Sequence, residues 1–203
     1  MRAEVTQTMN DKQLGNLVRI LRLAYSGELA AAYAYRGHWR SVSDERTRAR
    51  IREIENEEWH HRRLVGEMLA QLGRRPGRTR EVRAFLIGRT LGALCHVTGW
   101  LAPMYGAGKL ERRNIKEYES AARFAAGAGR AEFIDCLLTM AEVEWEHEQY
   151  FRLCVLSHRW SARIKLWPPP PPKEEIRRSF EREILGSEIK DHSSVFDYEQ
   201  TVA

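Results

Sequence analysis

Glu-x-x-His occurs twice in this chain in register with apolar residues, and this repetition constrains the fold more than any other feature. Written as a helix, Phe133, Leu137, Met140, Glu144, His147, Phe151 and Cys154 recur every third or fourth position, which is one continuous face. Ile51, Ile54, Glu58, His61, Val65, Met68 and Leu72 repeat the arrangement. Each helix carries a glutamate and a histidine in the middle of a stripe that should face a core. Burying an ionised carboxylate is costly unless it is paired or bound to a metal. Two such helices are the pattern by which four-helix bundles hold two metal ions.

The remaining segments complete an all-α bundle. From Asp11 to Trp39 the residues Val18, Leu21, Tyr25, Ala32, Tyr35 and Trp39 form an apolar series, and Glu28 fills the position it demands between Tyr25 and Ala32. Ser41-Val-Ser-Asp44 is short and suited to capping, so the first two helices should be antiparallel neighbours. The second helix runs from Glu45 to Leu72 and stops at Gly73. It also contains Glu57 and His60, but only Glu58 and His61 are in register with the stripe. Ala84 to Gly108 is largely apolar. Its length would allow a membrane span, but Arg89, Pro103 and Gly88, Gly92, Gly99 and Gly106 argue against one. We read a helix over residues 81–100, a break at Pro103-Met-Tyr-Gly-Ala-Gly108, and a third bundle helix over Leu110–Ala126. The apolar helix then supplies the long crossover between the second and third bundle helices. It is either a plain buried crossover or a segment whose outer face lies on a membrane surface.

The third bundle helix offers two glutamates. Glu119 shares a face with Ile115, Ala122 and Ala126, whereas Glu117 lies with Leu110, Ala121 and Phe124. The first face is the closer-packed seam, so Glu119 is favoured. After the turn Ala125-Ala-Gly-Ala-Gly129, the fourth helix spans Ala131–Trp160. The expected domains are a bundle over 1–166, a polyproline linker over 167–172 and a charged helix and tail over 173–203.

The inward set is therefore Glu28, Glu58, His61, Glu119, Glu144 and His147. Two divalent ions and four carboxylates cancel in charge. Oxygen and imidazole donors without thiolate suit two iron ions, with manganese as the alternative. Glu58 and Glu144 would bridge the ions, Glu28 and Glu119 would be terminal, and each histidine would serve one ion. Glu57, at the edge of the seam, is placed to accept a hydrogen bond from His147 across the bundle. Val143 holds the corresponding position on the fourth helix and cannot accept one from His61. His38, His60, His96, His158 and His192 carry no partner pattern and read as surface or supporting residues.

Composition adds bounds. The 203 residues suit one well-buried core with an appendage. Cys95, Cys136 and Cys154 are widely spaced and contain no CxxC, which gives neither a disulfide framework nor a cysteine zinc site. The start, Met1-Arg-Ala-Glu-Val-Thr-Gln, has no apolar run, so a secretory signal is not expected and the cytoplasm is the default compartment. The net charge of +5 is mostly arginine, but no nucleic-acid motif accompanies it. Solvated helix faces account for it.

The order Glu, Glu-x-x-His, Glu, Glu-x-x-His resembles the ferritin-like superfamily of di-iron carboxylate proteins. Within that superfamily the chain is most similar to the demethoxyubiquinone hydroxylases. Ser26-Gly-Glu28 through Tyr35-Arg-Gly37 resembles that family's first ligand helix. Glu58-Trp-His-His61 followed by Glu67-Met-Leu69 resembles its second. Glu119-Ser-Ala-Ala122 resembles its third, and Glu144-Trp-Glu-His147 its fourth. The resemblance covers residues 15–155. Three features depart from it: a short connection between the third and fourth helices, the proline run, and His38 where a glutamine is expected.

The resemblance implies a ferritin-like bundle in which a di-iron site activates dioxygen to hydroxylate an apolar quinone-like substrate. The six inward residues would be its catalytic ligands and an external electron donor its partner. Peripheral contact with the inner membrane face and a homo-oligomer are compatible with it. A rubrerythrin-like peroxide reductase or a ferroxidase would use a similar site, although rubrerythrins carry a four-cysteine iron domain that is missing here. A non-catalytic helical interaction module, recruiting a partner through the proline run, is the remaining alternative.

Overall fold

The computed structural model describes the backbone of residues 2–199 and the side chains of residues 7–186. Among these residues there are six α-helices and no strand. The tail expected beyond Glu199 lies outside the described residues. The chain divides into two compact units, residues 1–168 and residues 169–203.

Helix α1 (Arg2–Ser41) buries Leu17, Leu21, Ala24, Glu28, Ala31, Ala32, Tyr35 and His38. The connection Val42–Asp44 is short, and Asp44 caps α2 (Glu45–Gln71) by accepting a 2.8 Å hydrogen bond from the Thr47 amide. Gly73 ends α2 in the left-handed region, with φ 64°, and Arg74 N–H bonds to the Leu69 carbonyl at 2.8 Å. Helix α3 spans Arg78–Leu94 and α4 spans Leu101–Gly127. A 3₁₀ turn at Ala131–Phe133 leads into α5, Ile134–Ser157.

Side-chain pairs fix the directions. Tyr118 and Tyr35 of α4 and α1 reach Glu28 and Glu111 respectively, so α1 and α4 are antiparallel. Helices α1 and α2 are antiparallel through their short turn, so α2 and α4 run the same way. The chain must therefore travel back along the bundle between them, and α3 makes this return lying parallel to α1. A Cβ on Gly88 would meet the Ala30 carbonyl at 2.4 Å, and one on Gly37 would meet the Gly92 Cα at 2.3 Å. The two backbones approach too closely for side chains at these positions.

The break between α3 and α4 differs from the expectation. It falls at residues 95–100, with Gly99 at φ 76°, and Pro103 to Gly108 is helical. Pro103 sits in the first turn of α4, where a missing N–H costs nothing because no carbonyl precedes it to accept one. Helix α4 is accordingly about two turns longer at its start than the sequence suggested. No helix among the described residues is long and apolar enough to cross a membrane.

Trp167 belongs to the first unit. Its indole packs against Gly108 and Phe151, where a Cβ on Gly108 would approach Cζ2 at 2.4 Å. Its Nε1–H donates to Glu148 at 2.6 Å, and Arg152 binds the same carboxylate at 2.9 Å through Nε. In the second unit, α6 (Glu174–Glu199) carries a pairing of Arg182 with Glu175.

Candidate metal centre

Two groups of donors meet between α1, α2, α4 and α5. Glu28, Glu58, His61 and Glu144 form one; Glu58, Glu111, Glu144 and His147 form the other. In each, one donor atom per residue lies within 4.8 Å of all the others, and the groups share Glu58 and Glu144. All six side chains are at most 3% exposed. Among the residues expected from the sequence, Glu28, Glu58, His61, Glu144 and His147 are thus brought together.

Glu119 is not. It is half-buried, one position past Tyr118, and belongs to neither group; Glu111 takes the place expected for it. The cause is the longer α4. Its buried stripe is Met104, Gly108, Glu111, Ile115, Tyr118, Ala122 and Ala125, at steps of three and four. One turn before Ile115 on this face stands Glu111, whereas a helix read from Leu110 leaves Glu111 at its frayed start.

The protein supplies too few hydrogen bonds for so many buried carboxylates. Tyr118 donates to Glu28 and Tyr35 to Glu111, and Asn114 donates to the other Glu111 oxygen at 2.8 Å. His61 Nδ1 lies 3.0 Å from Glu144. Glu28 Oε2, both Glu58 oxygens, Glu144 Oε2 and His147 Nδ1 are buried and have no hydrogen-bond partner. Buried polar atoms are rarely left so. A pair of divalent cations fits this set, since it would satisfy these atoms and neutralise four carboxylates with donors suited to iron or manganese.

His147 is oriented for that role. Its Nδ1 lies 3.4 Å from Glu58 and 3.5 Å from Glu144. The hydrogen bond expected to Glu57 is present from Nε2 at 2.6 Å, and Arg50 holds Glu57 in turn at 3.3 Å. A carboxylate behind a histidine sets its tautomer and ring orientation.

The electrostatics follow from crowding. Burial, then the charge of Glu144, pushes the carboxyls of Glu58 and Glu111 well above their usual range; burial also raises Glu28. Burial opposes the charge on Glu144 too, but the neighbouring imidazoles of His147, 3.5 Å away, and His61, at hydrogen-bond distance, outweigh it and hold this carboxyl low. Burial disfavours a charged His147, yet the nearby Glu144 carboxylate and the hydrogen bond to Glu57 raise it to about 9.

A second feature adjoins the centre. A cavity of about 380 Å³ lies between α1, α3 and the start of α4, lined chiefly by Ala31, Ala34, Leu91, Leu94, Pro103 and Leu110, together with Tyr35 and His38. Tyr35 is shared: it lines the cavity while its hydroxyl holds Glu111.

The family profile described as ubiquinone biosynthesis protein COQ7 matches residues 15–150. Comparison with curated proteins and with solved structures gives no match. The matched span contains all six residues of the two donor groups and the whole of α2, α3 and α4. On that span the chain belongs to the COQ7 family of ubiquinone biosynthesis, a ferritin-like di-iron hydroxylase family.

Proposed function

We propose that this protein is a dioxygen-dependent di-iron hydroxylase acting on an apolar quinone-like ring. Glu28, Glu58, His61, Glu111, Glu144 and His147 are its ligands. The observation that carries the reading is the pair of buried donor groups sharing Glu58 and Glu144, with their metal-facing atoms unsatisfied by the chain. Two iron ions bound there supply the redox chemistry by which a hydroxylase uses dioxygen. The chain's own part is positional. Tyr118 and Tyr35 hold Glu28 and Glu111, Glu57 holds His147, and burial keeps water away. The apolar cavity beside Tyr35 favours a hydroxylase over a peroxide reductase or ferroxidase, since neither of those needs a place for an organic ring.

The outer face of α3 supports delivery of that substrate from a lipid surface. Small residues, Ala84, Gly88 and Gly92, face inward, while Val82, Phe85, Leu86, Ile87, Leu91, Leu94 and Val97 are exposed. Contiguous exposed apolar side chains mark contact sites. Arg74, Arg75, Arg78, Arg80 and Arg83 are exposed at one end, where anionic head groups would meet them. Leu91 and Leu94 also line the cavity, so the same face borders its walls.

Iron-loaded protein with a chemical reductant should consume dioxygen faster when a short-chain methoxyquinone is added, and yield the hydroxylated ring. Loading with iron but consuming peroxide, with no response to the quinone, would favour the peroxide reductase. Anionic vesicles should pull the protein down on centrifugation, and Leu86→Asp with Ile87→Asp should release it.

A further inference from the structure

One of the residues that line the cavity carries a buried polar atom that nothing in the chain uses. Tyr35, Thr98 and Cys95 also line it, but their donors are committed: the Tyr35 hydroxyl to Glu111, the Thr98 hydroxyl to the Leu94 carbonyl at 2.9 Å, and the Cys95 thiol to the Leu91 carbonyl at 3.2 Å. His38 is different. It is 3% exposed, it lines the cavity, and its Nε2 is buried without a partner. The ring is held rather than loose. It stacks on Phe151 with centroids 6.0 Å apart and an interplanar angle of 16°, and lies nearly parallel to Tyr35 at 6.4 Å and 22°.

We infer that His38 Nε2 is the polar recognition point of this cavity, hydrogen-bonding a carbonyl or hydroxyl oxygen on an aromatic ring and so selecting oxygenated rings over plain hydrocarbons. This rests on the cavity being the substrate site. Burial lowers the imidazole's proton affinity to about 4, so at neutral pH the ring is uncharged. A neutral imidazole has one N–H and one bare nitrogen, and either can meet a ring oxygen without importing a charge into an apolar site. A site built to bond a substrate oxygen rejects analogues that lack it, because its own buried atom is then left unpaired. The apolar lining recognises the ring and its substituents by shape, and His38 fixes which edge faces α1.

The test compares two probes on the full-length protein: menadione, with two ring carbonyls, and methylnaphthalene, the same skeleton without them. Dissociation constants are read from tryptophan fluorescence, directly for menadione and by competition for methylnaphthalene. We expect His38→Leu to weaken menadione roughly tenfold while leaving methylnaphthalene within about twofold. His38→Gln, which keeps a donor and an acceptor, should restore menadione binding to within about threefold. Equal loss for both probes would mean that His38 serves packing alone, and unchanged menadione binding would mean that Nε2 does not touch the ring. Either result overturns the inference and leaves the cavity as substrate site. If an Ala34→Phe plug changes neither probe's binding, the cavity is not where rings bind, and the inference falls together with that part of the proposed function.

Discussion

Glu58 and Glu144 are equally buried, yet their surroundings push their proton affinities in opposite directions. Glu144 faces two imidazoles; Glu58 faces mainly other carboxylates. A carboxyl raised in the folded state favours folding at low pH, and that contribution is lost as pH rises above the unfolded value of 4.5. His147, raised to about 9, contributes stability that is full below 6.5 and lost as pH rises through about 9. Both act in the same sense over this window. Glu144, held low, adds stability above 4.5 that is lost only as pH falls through its folded value. Metal-free protein should therefore melt at progressively lower temperature between pH 7 and about 9. Metal-loaded protein should change less, since cations favour the ionised carboxylates. Calorimetry of both forms across this range checks it, and a metal-free melting temperature that climbs with pH would contradict it. The same residues separate ligands from bystanders. Elemental analysis of iron-loaded protein should find close to two ions per chain in the parent and after Glu119→Ala, and well below two after Glu58→Ala or Glu111→Ala. Glu57→Ala should keep the site but weaken it by roughly 10–100-fold, as loss of a histidine's hydrogen-bond partner does.

At the scale of elements, the two Glu-x-x-His helices were legible because charge stood inside an otherwise unbroken apolar period. Nothing short of a buried binding role explains Glu58 beside Ile54 and Val65, or Glu144 beside Met140 and Phe151. Helix α4 was less so. Pro103 and three nearby glycines read as a break, although proline is harmless in a first turn and Gly108 is small to receive Trp167. With the start misplaced, Glu111 lost its standing as an interior residue. The step from Ile115 back to Glu111 was nonetheless available as the same spacing that picked out Glu28. Tyr35 and Tyr118 read simply as apolar members of stripes, since a sequence does not say what a phenol touches. The crossover invites a direct test of packing. Gly37→Ala would drive its methyl into the Gly92 backbone, and overpacking of this kind costs about 1–3 kcal/mol or more. Gly15→Ala, also in α1 but with nothing within 4 Å, should instead stabilise by roughly 0.5–1 kcal/mol. Denaturant titration of the two variants measures both signs, and a neutral Gly37→Ala would mean that α1 and α3 can part freely.

For the molecule as a whole, the bundle buries its most expensive groups where the four helices meet, so its stability depends on what occupies the centre. Binding two cations to the folded state alone should raise the melting temperature by mass action. Equal values with and without iron would contradict ligand binding at this place. Trp167 adds a second dependence. Position 108 was free to be glycine because an indole arrives there from almost sixty residues later, and the indole in turn finds Glu148 and Arg152 already paired to receive it. The matched family span closes at residue 150, so Phe151, Arg152 and Trp167 lie beyond the part of the chain that the family profile matches, while their partners Gly108 and Glu148 lie inside it. Evolution therefore has two sites to change together. A side chain at 108 evicts the tryptophan, and losing the tryptophan leaves a hole that only a side chain at 108 could fill. Relatives that end α5 differently are expected to carry alanine or something larger where this chain has Gly108.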